Sequence, residues 1–450
     1  MAQDPRIERA APLPAGTPEA PVAIVGAGAC GLTAAIFLRE AGIDCVLLER
    51  APQASGSTAL SSGFIPAPGT RVQRAAGVVD DSPARFAADI QAKAHGRAAP
   101  HLVQAYAQAI GPALDALAER HGLGFELLGG FLYPGHSVAR MHTLPARTGA
   151  ALVAALESAA TAAGTLLLTD ARVHTLWADD DGRLRGVSYE RPDGTTEHLG
   201  CDTLLLACNG FGGNAAMVRE WLPEMRSAVF GGHAGNDGSA IAWGQALGAA
   251  LADLGGYQGH GSWAVPQGAL ITWALMMEGG IQVNAQGQRF HDETAGYSEA
   301  AVQVLAQPGG TAWNVFDERL LALGRSFPDF CEAEAAGALR GPFDVAALAA
   351  LIGCEAAVLQ ATLAGTRLQT PLYAIKVTGA LFHTQGGLDI DAHCRVRRTG
   401  GCVFPNLLAA GGAARGVSGD AVWGYLSGNG LLSAVAGGFI AAHTIREARA

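Results

Sequence analysis

The stretch VAIVGAGACGLTAAIFLREAG, residues 22–42, limits what this chain can fold into more than any other. VAIV is a short β-branched run and reads as a strand. GAGACG follows at 26–31, and LTAAIFLRE then carries the apolar spacing of a helix that Gly42 ends. A second strand-like run, CVLLE, closes on Glu49. Strand, glycine turn, helix and a second strand ending in an acid make up the dinucleotide-binding unit of an α/β fold. In that unit Gly26 allows the tight turn and Gly28 lets the backbone approach a pyrophosphate, with Cys30 beside it. Gly31 lets the helix pack closely, the helix N-terminus faces the phosphates, and Glu49 reaches the ribose hydroxyls. A GxGxxG alone is a weak signal, but the flanking elements and the acid make this one specific.

The loop after the acid narrows the nucleotide. SGSTALSSG, at 55–63, is a run of small hydroxyl residues and glycines. A nicotinamide domain rarely needs such a loop, whereas a flavoprotein must lay a ribityl chain and a ring system along the backbone. No second GxGxxG occurs, so a nicotinamide cofactor has no evident site. FAD is therefore the expected cofactor, with Arg50, Ser57, Thr58, Ser61, Ser62 and Gly63 around it. Residues 168–210 alternate polar and apolar, with DG turns at 181–182 and 193–194, and read as a β-meander running into TLLLACNG. This segment is expected to bring Val173, Asn209 and Gly210 to the cofactor. GNDGSAIAWGQALGA, a glycine turn opening a helix at 235–249, adds Asp237.

Composition excludes several classes of partner. A chain of 450 residues, 49% apolar and 16% charged, buries a large core and divides into domains. A net charge of −10 argues against nucleic acid or an anionic membrane. The eight cysteines include no CxxC or CxxCH. That argues against a local iron–sulfur or haem site, gives no metal site, and fits a reducing compartment. Residues 1–20 lack the apolar core of a signal peptide and read as a loose tail. The apolar run LLSAVAGGFIAAHTI is too short to span a bilayer, so the expectation is a cytoplasmic protein with no membrane span.

The motifs VAIVGAGACGLTAA, LLERAPQASGSTALSSGF, LLLACNGFGGN, GQRFHDE, HTQGGLDID and SGNGLLSAVAGGFIAA resemble, in this order, those of the fumarate reductase/succinate dehydrogenase flavoprotein family. The resemblance covers residues 21–445. It implies an α/β fold in which a Rossmann-like FAD-binding domain is interrupted by a smaller α+β capping domain over the substrate. The bounds it implies are a tail at 1–20, the FAD domain at 21–256 and 377–450, and the cap at 257–376. Membrane-complex members attach FAD to a histidine where this chain has Ser57, so noncovalent FAD is implied. His260 and His383 match family histidines that hold a substrate carboxylate. Two family arginines are missing. One place is taken by Tyr297, and the other falls in WGYLSGN, at 423–429. Arg415, nearby, is either a substitute clamp or a surface or FAD-loop arginine. DETAGY, ending at Tyr297, resembles instead the catalytic tyrosine segment of the 3-ketosteroid Δ1-dehydrogenases and their smaller cyclohexanone-dehydrogenase relatives. Tyr425 with Gly428 resembles that branch's second tyrosine and its carbonyl-binding glycine, offset by one.

These residues suit the α,β-dehydrogenation of a ketone. Tyr297 would take the α-proton, Tyr425 and the Gly428 N–H would hold the carbonyl oxygen, and flavin would take the β-hydride. Gly428 and Asn429 open an apolar helix that also carries Leu431, and its free N–H groups suit an enolate oxygen or the flavin edge. The expected substrate is a small cyclic ketone, including one with a carboxylate such as 4-oxocyclohexanecarboxylate. The alternative is a fumarate reductase-like enzyme acting on a carboxylate. A non-enzymatic FAD carrier is disfavoured by the cap. Electrons would pass to an external acceptor: oxygen, a quinone or a carrier protein. His233 is assigned to loop structure, while Trp263, Trp273 and Trp423 are candidates for either a pocket wall or the core.

Overall fold

The computed structural model describes residues 5–9 and 12–449. The first domain is built on a sheet ordered Arg6–Arg9, Arg172–Ala178, Leu184–Glu190, Thr196–Leu206, Glu19–Val25, Cys45–Leu48 and Leu166–Leu168. Glu19–Val25 lies parallel to Cys45–Leu48 on one side and to Thr196–Leu206 on the other, with Val25 level with Leu48 and Leu206. Val403–Ala409 adds a further parallel strand beside Leu204–Leu206. The strands thus end together at the Gly26 turn, at the carboxyl edge where such sheets bind ligands. Because both faces are covered, Val22, Ala23 and Ile24 are wholly buried, as are Leu204, Leu205 and Leu206.

The helix Ala29–Glu40 is buried from Ala29 to Leu38 and packs between this sheet and the C-terminal helix Asn429–Arg449. Phe37 meets Phe439 edge to face at 4.7 Å. Past the helix end, Gly42 donates to Arg39 O and Ile43 to Leu38 O, which satisfies the last carbonyls and stops the helix. The expected meander forms two antiparallel pairings, Arg172–Ala178 with Leu184–Glu190 and the latter with Thr196–Gly200. Within the 1–20 segment read as a loose tail, Arg6–Arg9 pairs in parallel with Thr175–Ala178. The open sheet edge offers unpaired N–H and C=O groups, which a short polar strand can satisfy without a hydrophobic pattern of its own.

A second sheet, in the segment expected to form the cap, is ordered Ala269–Leu270, Tyr257–Ala264, Leu372–Thr384, Thr311–Asp317 and Ile281–Val283. Trp273, Phe316, Phe330, Ile375 and Val377 form its core, together with Tyr297 and Tyr425. Leu372–Thr384 runs unbroken through the boundary expected at Lys376, pairing with Thr311–Asp317 along its first part and with Tyr257–Ala264 along its second. There Gln258 pairs with His383 and His260 with Ala380, so two neighbouring strands carry both histidines across the join. Among the described residues no single helix is long and apolar enough to cross a membrane.

Candidate active site

A cleft lined by residues around both sheets holds a cavity of about 240 Å³. Its floor is the glycine turn. A Cβ on Gly26 would stand 2.6 Å from Ala207 O, and one on Gly31 would stand 2.0 Å from Gly26 O, so strand, turn and helix touch only because no side chain intervenes. Gly26 also has φ +106°, which L side chains avoid. Gly26, Gly28 and Cys30 line the cleft, as do Glu49 and Arg50 at the end of the second strand. Glu49 is buried and accepts from the N–H of Ala27 at 2.8 Å and of Ala51 at 2.9 Å. These bonds aim a carboxylate at the place expected for a ribose.

The hydroxyl loop forms the next wall, with Ser57, Thr58, Ser61 and Ser62 all on the cleft. Thr58 Oγ1 accepts from Ala29 N at 3.1 Å, tying the loop to the helix start. Ser57 Oγ accepts from Asn209 Nδ2 at 3.0 Å and Asn236 Nδ2 at 2.8 Å. Val173, Asn209, Asp237 and Leu431 complete this part of the wall. Arg50 pairs there with Asp237 at 2.8 Å. A backbone cradle with no side chain over it, an aimed carboxylate and a row of hydroxyls together fit an extended dinucleotide such as FAD. Gly31, Gly63, Gly210 and Asn429 do not line the cleft. Gly31 and Gly63 pack against backbone, and Gly210 packs against Thr384. Asn429 is buried and donates to Ser418 Oγ at 2.9 Å.

At the cap side the cleft gathers Tyr297, Tyr425, Gly428, His260 and His383. Tyr297 opens the helix Tyr297–Leu305, and the segment before it is pinned by Glu293. Glu293 is buried, pairs with Arg289, accepts from Gln282 N at 2.8 Å, and through its carbonyl receives Trp273 Nε1 at 3.1 Å. The Tyr297 ring stacks on His260 at 4.8 Å and meets Tyr425 at 6.0 Å, while Tyr425 meets His383 at 5.7 Å. The two phenols are near enough for each to shift the other's titration, and Tyr425 Oη accepts from Gly430 N at 3.5 Å. Ser427 and Gly428 stand on the same wall beside the two phenols. Gly428 has φ +86°, and Pro66 would lie 2.5 Å from any Cβ there, so this bend also demands glycine.

Burial dominates the charge state of this end. It raises both phenols above the usual tyrosine value. It pushes His260 down to about 3 and His383 down to about 4, so both are neutral near pH 7. The arginines on the cleft wall, Arg50 and Arg172, sit beside Glu49 and Val173 and pair with Asp237 and Glu190. Arg415 is off the wall: its Nε and Nη2 grip Asp253 at 2.6 and 3.2 Å, and its Nη1 meets Asp389 at 3.3 Å. Trp273 lines the cleft, Trp263 packs on Phe382 at 5.6 Å, and Trp423 stacks on His95 at 4.4 Å. His233 is on the wall and accepts from Gly235 N at 3.1 Å.

Two wall residues carried no motif in the sequence. Tyr133 comes from the aromatic loop GGFLYPG, at 129–135, and bonds Thr272. Asp329, in the first turn of Pro328–Ala335, has a carboxyl that burial pushes up to about 6, and its recorded side-chain bond is from Phe330 N at 2.9 Å. A tyrosine in a glycine-flanked loop and an acid after Pro328 are common on surfaces, so neither stands out before the chain is folded.

The family description "FAD binding domain" matches residues 21–431. An NADH:fumarate oxidoreductase of Klebsiella pneumoniae (strain 342) is 27% identical over 94% of this chain and 47% of its own length. A fumarate reductase (cytochrome) of Shewanella frigidimarina is 26% identical over 93% of this chain and 76% of its own. The chain thus spans about half of the first relative and three quarters of the second. The open conformation of a flavocytochrome c3 fumarate reductase superposes with TM-score 0.81 at 25% identity, covering 96% of this chain and 79% of that one. The 3-ketosteroid-Δ4-(5α)-dehydrogenase from Rhodococcus jostii RHA1, in complex with 4-androstene-3,17-dione, superposes with TM-score 0.77 at 25% identity, covering 98% of this chain and 99% of that one.

Proposed function

The chain belongs to the FAD binding domain family, whose members here are FAD-dependent oxidoreductases acting on carbon–carbon single and double bonds, and on that premise we propose that it converts a cyclic ketone to its 2-enone. The observation that carries this reading is the pair Tyr297 and Tyr425, ring centroids 6.0 Å apart, with Gly428 on the same wall, in a part of the cleft that no arginine or lysine among the described residues lines. Bound FAD supplies the hydride exchange at the β-carbon. Tyr297 exchanges the α-proton at Oη. Tyr425 Oη and the Gly428 N–H hold the carbonyl oxygen, where negative charge grows as the proton leaves. Electrons then pass to an external acceptor. One solved neighbour, covered over 99% of its own length, is a 3-ketosteroid-Δ4-(5α)-dehydrogenase in complex with 4-androstene-3,17-dione, so chain length sets no upper limit on ring size.

A carboxylate substrate is the second reading, favoured by the fumarate reductases among the relatives. It needs cations, since charge-assisted arginine pairs are the strong carboxylate partners. Both arginine places are empty, both histidines are neutral, and the partly ionised Asp329 faces the same cleft. A ring carboxylate, as in 4-oxocyclohexanecarboxylate, meets the same lack. We therefore favour a ketone without one. In an anaerobic screen, cyclohexanones or 3-ketosteroids should bleach the bound cofactor and yield the 2-enone, while succinate should not. Reduction by succinate, or reoxidation of reduced enzyme by fumarate at a comparable rate, would overturn the ketone reading.

The cofactor is proposed to be held without a covalent bond. At the attachment place stands Ser57, its oxygen already accepting from two amides. Acid precipitation should release intact FAD and leave a colourless polypeptide. Yellow fluorescence that stays with the denatured chain would contradict this.

A further inference from the structure

The peptide that carries the Gly428 N–H is gripped from behind. Its carbonyl, Ser427 O, meets His136 Nε2 at 2.9 Å. This peptide is trans, so its N–H points the opposite way, toward the cleft that Gly428 lines. On the other side of the His136 ring, Nδ1 lies 3.2 Å from Arg140 Nη1. A guanidinium only donates, so Nδ1 must accept, and the single ring proton sits on Nε2, where it donates to Ser427 O. Arg140 is itself held by Asp81, through Nε at 3.0 Å and Nη2 at 2.9 Å, and by Asp89 through Nη1. His136 and Arg140 are both buried, and neither lines the cleft. Burial first, and then the Arg140 charge, push His136 down to about 4, so the ring stays neutral at ordinary pH.

We propose that His136 is a positioning residue for the carbonyl-binding donor: held in one tautomer by Arg140, it fixes the Ser427–Gly428 peptide so that the Gly428 N–H faces the substrate oxygen. This rests on the reading of Gly428 as that donor. A peptide next to a glycine at positive φ has little side-chain bulk to keep it from turning over, so an external grip on its carbonyl sets which way the N–H points. Hydrogen bonds in a chain also polarise one another, so the bond at Ser427 O strengthens the N–H at the other end of the same peptide. Ser427 gains from the same grip, because it lines the cleft with Tyr297 while its carbonyl is anchored.

The test compares His136→Leu with His136→Gln in FAD-loaded enzyme. Glutamine can still donate to Ser427 O, and leucine cannot. Two quantities decide it, with ketone affinity and FAD content as controls: the rate of cofactor reduction by a ketone found in the screen, and the binding of 4-nitrophenol, whose yellow phenolate mimics the enolate. His136→Leu should slow reduction by about 10- to 100-fold, less than the 10²–10³ lost with an oxyanion donor itself. It should weaken phenolate binding by a similar factor while leaving ketone affinity and FAD content near wild type, and His136→Gln should recover most of both losses. Equal losses in the two variants, or a loss confined to FAD content, would make the histidine merely structural. No change in either quantity would also overturn the proposal. A wild type inert to ketones but still binding phenolate would remove only the ketone reading, and the His136 comparison would then be read on the phenol. A wild type that does not bind phenolate removes the donor, and the proposal with it.

Discussion

Tyr297→Phe should slow cofactor reduction by ketone roughly 10²–10⁴-fold while FAD stays bound. Only a hydroxyl is lost. The ring keeps its stack on His260 and its contact with Trp273, so the cap core is preserved. The pH dependence should separate the two directions of the reaction. Burial raises the Tyr297 pKa well above 10, so near neutrality almost all of it is phenol. A phenol can donate but not accept at the reacting carbon, so the rate of ketone oxidation should climb with pH across the neutral and mildly alkaline range without reaching a plateau. Enone reduction by prereduced enzyme should stay flat over the same range, because the required phenol is already present. Stopped-flow traces of wild type and Tyr297→Phe across pH would measure both. An unchanged single-turnover rate in Tyr297→Phe would assign the residue to packing.

The turn at 26–31 was legible because its constraint is local. Gly26 and Gly31 face each other across one turn, and the glycines, the helix period and Glu49 all lie within one short stretch. Ser57 and Thr58 were legible for the same reason, as neighbours of that unit. Gly210 and Asn429 sit in equally suggestive motifs but turn away from the cleft, because a motif names a loop and not the direction of each side chain. Gly210 is spent against Thr384, and Asn429 is spent on Ser418. The strand Arg6–Arg9 was read as tail because its order comes from the edge of Arg172–Ala178, far along the chain, and not from its own pattern. Tyr133, Asp329 and His136 were not found for a related reason. Each gets its place only from contacts that the fold delivers, Tyr133 and Asp329 on the cleft wall and His136 at Ser427 O. Arg415 was open between clamp and structure, and its grip on Asp253 and Asp389 leaves it no free fork for a substrate.

Arg140→Met should cost about 3–5 kcal/mol of stability, the usual result of taking one partner from a buried ion pair. The Arg140 side chain is wholly buried, Asp81 is 1% exposed and Asp89 13%. Arg140 also lies over the Phe86 ring at 4.7 Å. Removing the cation strands two carboxylates, and Asp81 keeps only hydrogen bonds such as that from Gln73 Nε2 at 2.8 Å. In the variant a stranded carboxylate favours its protonated form, so its folded-state pKa rises. The penalty is then largest at neutral pH and shrinks as pH falls through the carboxylate range. Denaturant midpoints of the FAD-loaded protein at several pH values would measure this. Adding Asp81→Asn and Asp89→Asn should return much of the lost stability, because the charges that needed a partner are gone. It should not return the catalytic rate. Without Arg140 only Ser427 O itself still favours a proton on Nε2 and nothing fixes the other side of the ring, so the grip on Ser427 O weakens whether or not the carboxylates remain. A triple variant that regains both its midpoint and its ketone oxidation rate would show that Arg140 stabilises the fold and does nothing for the Gly428 N–H.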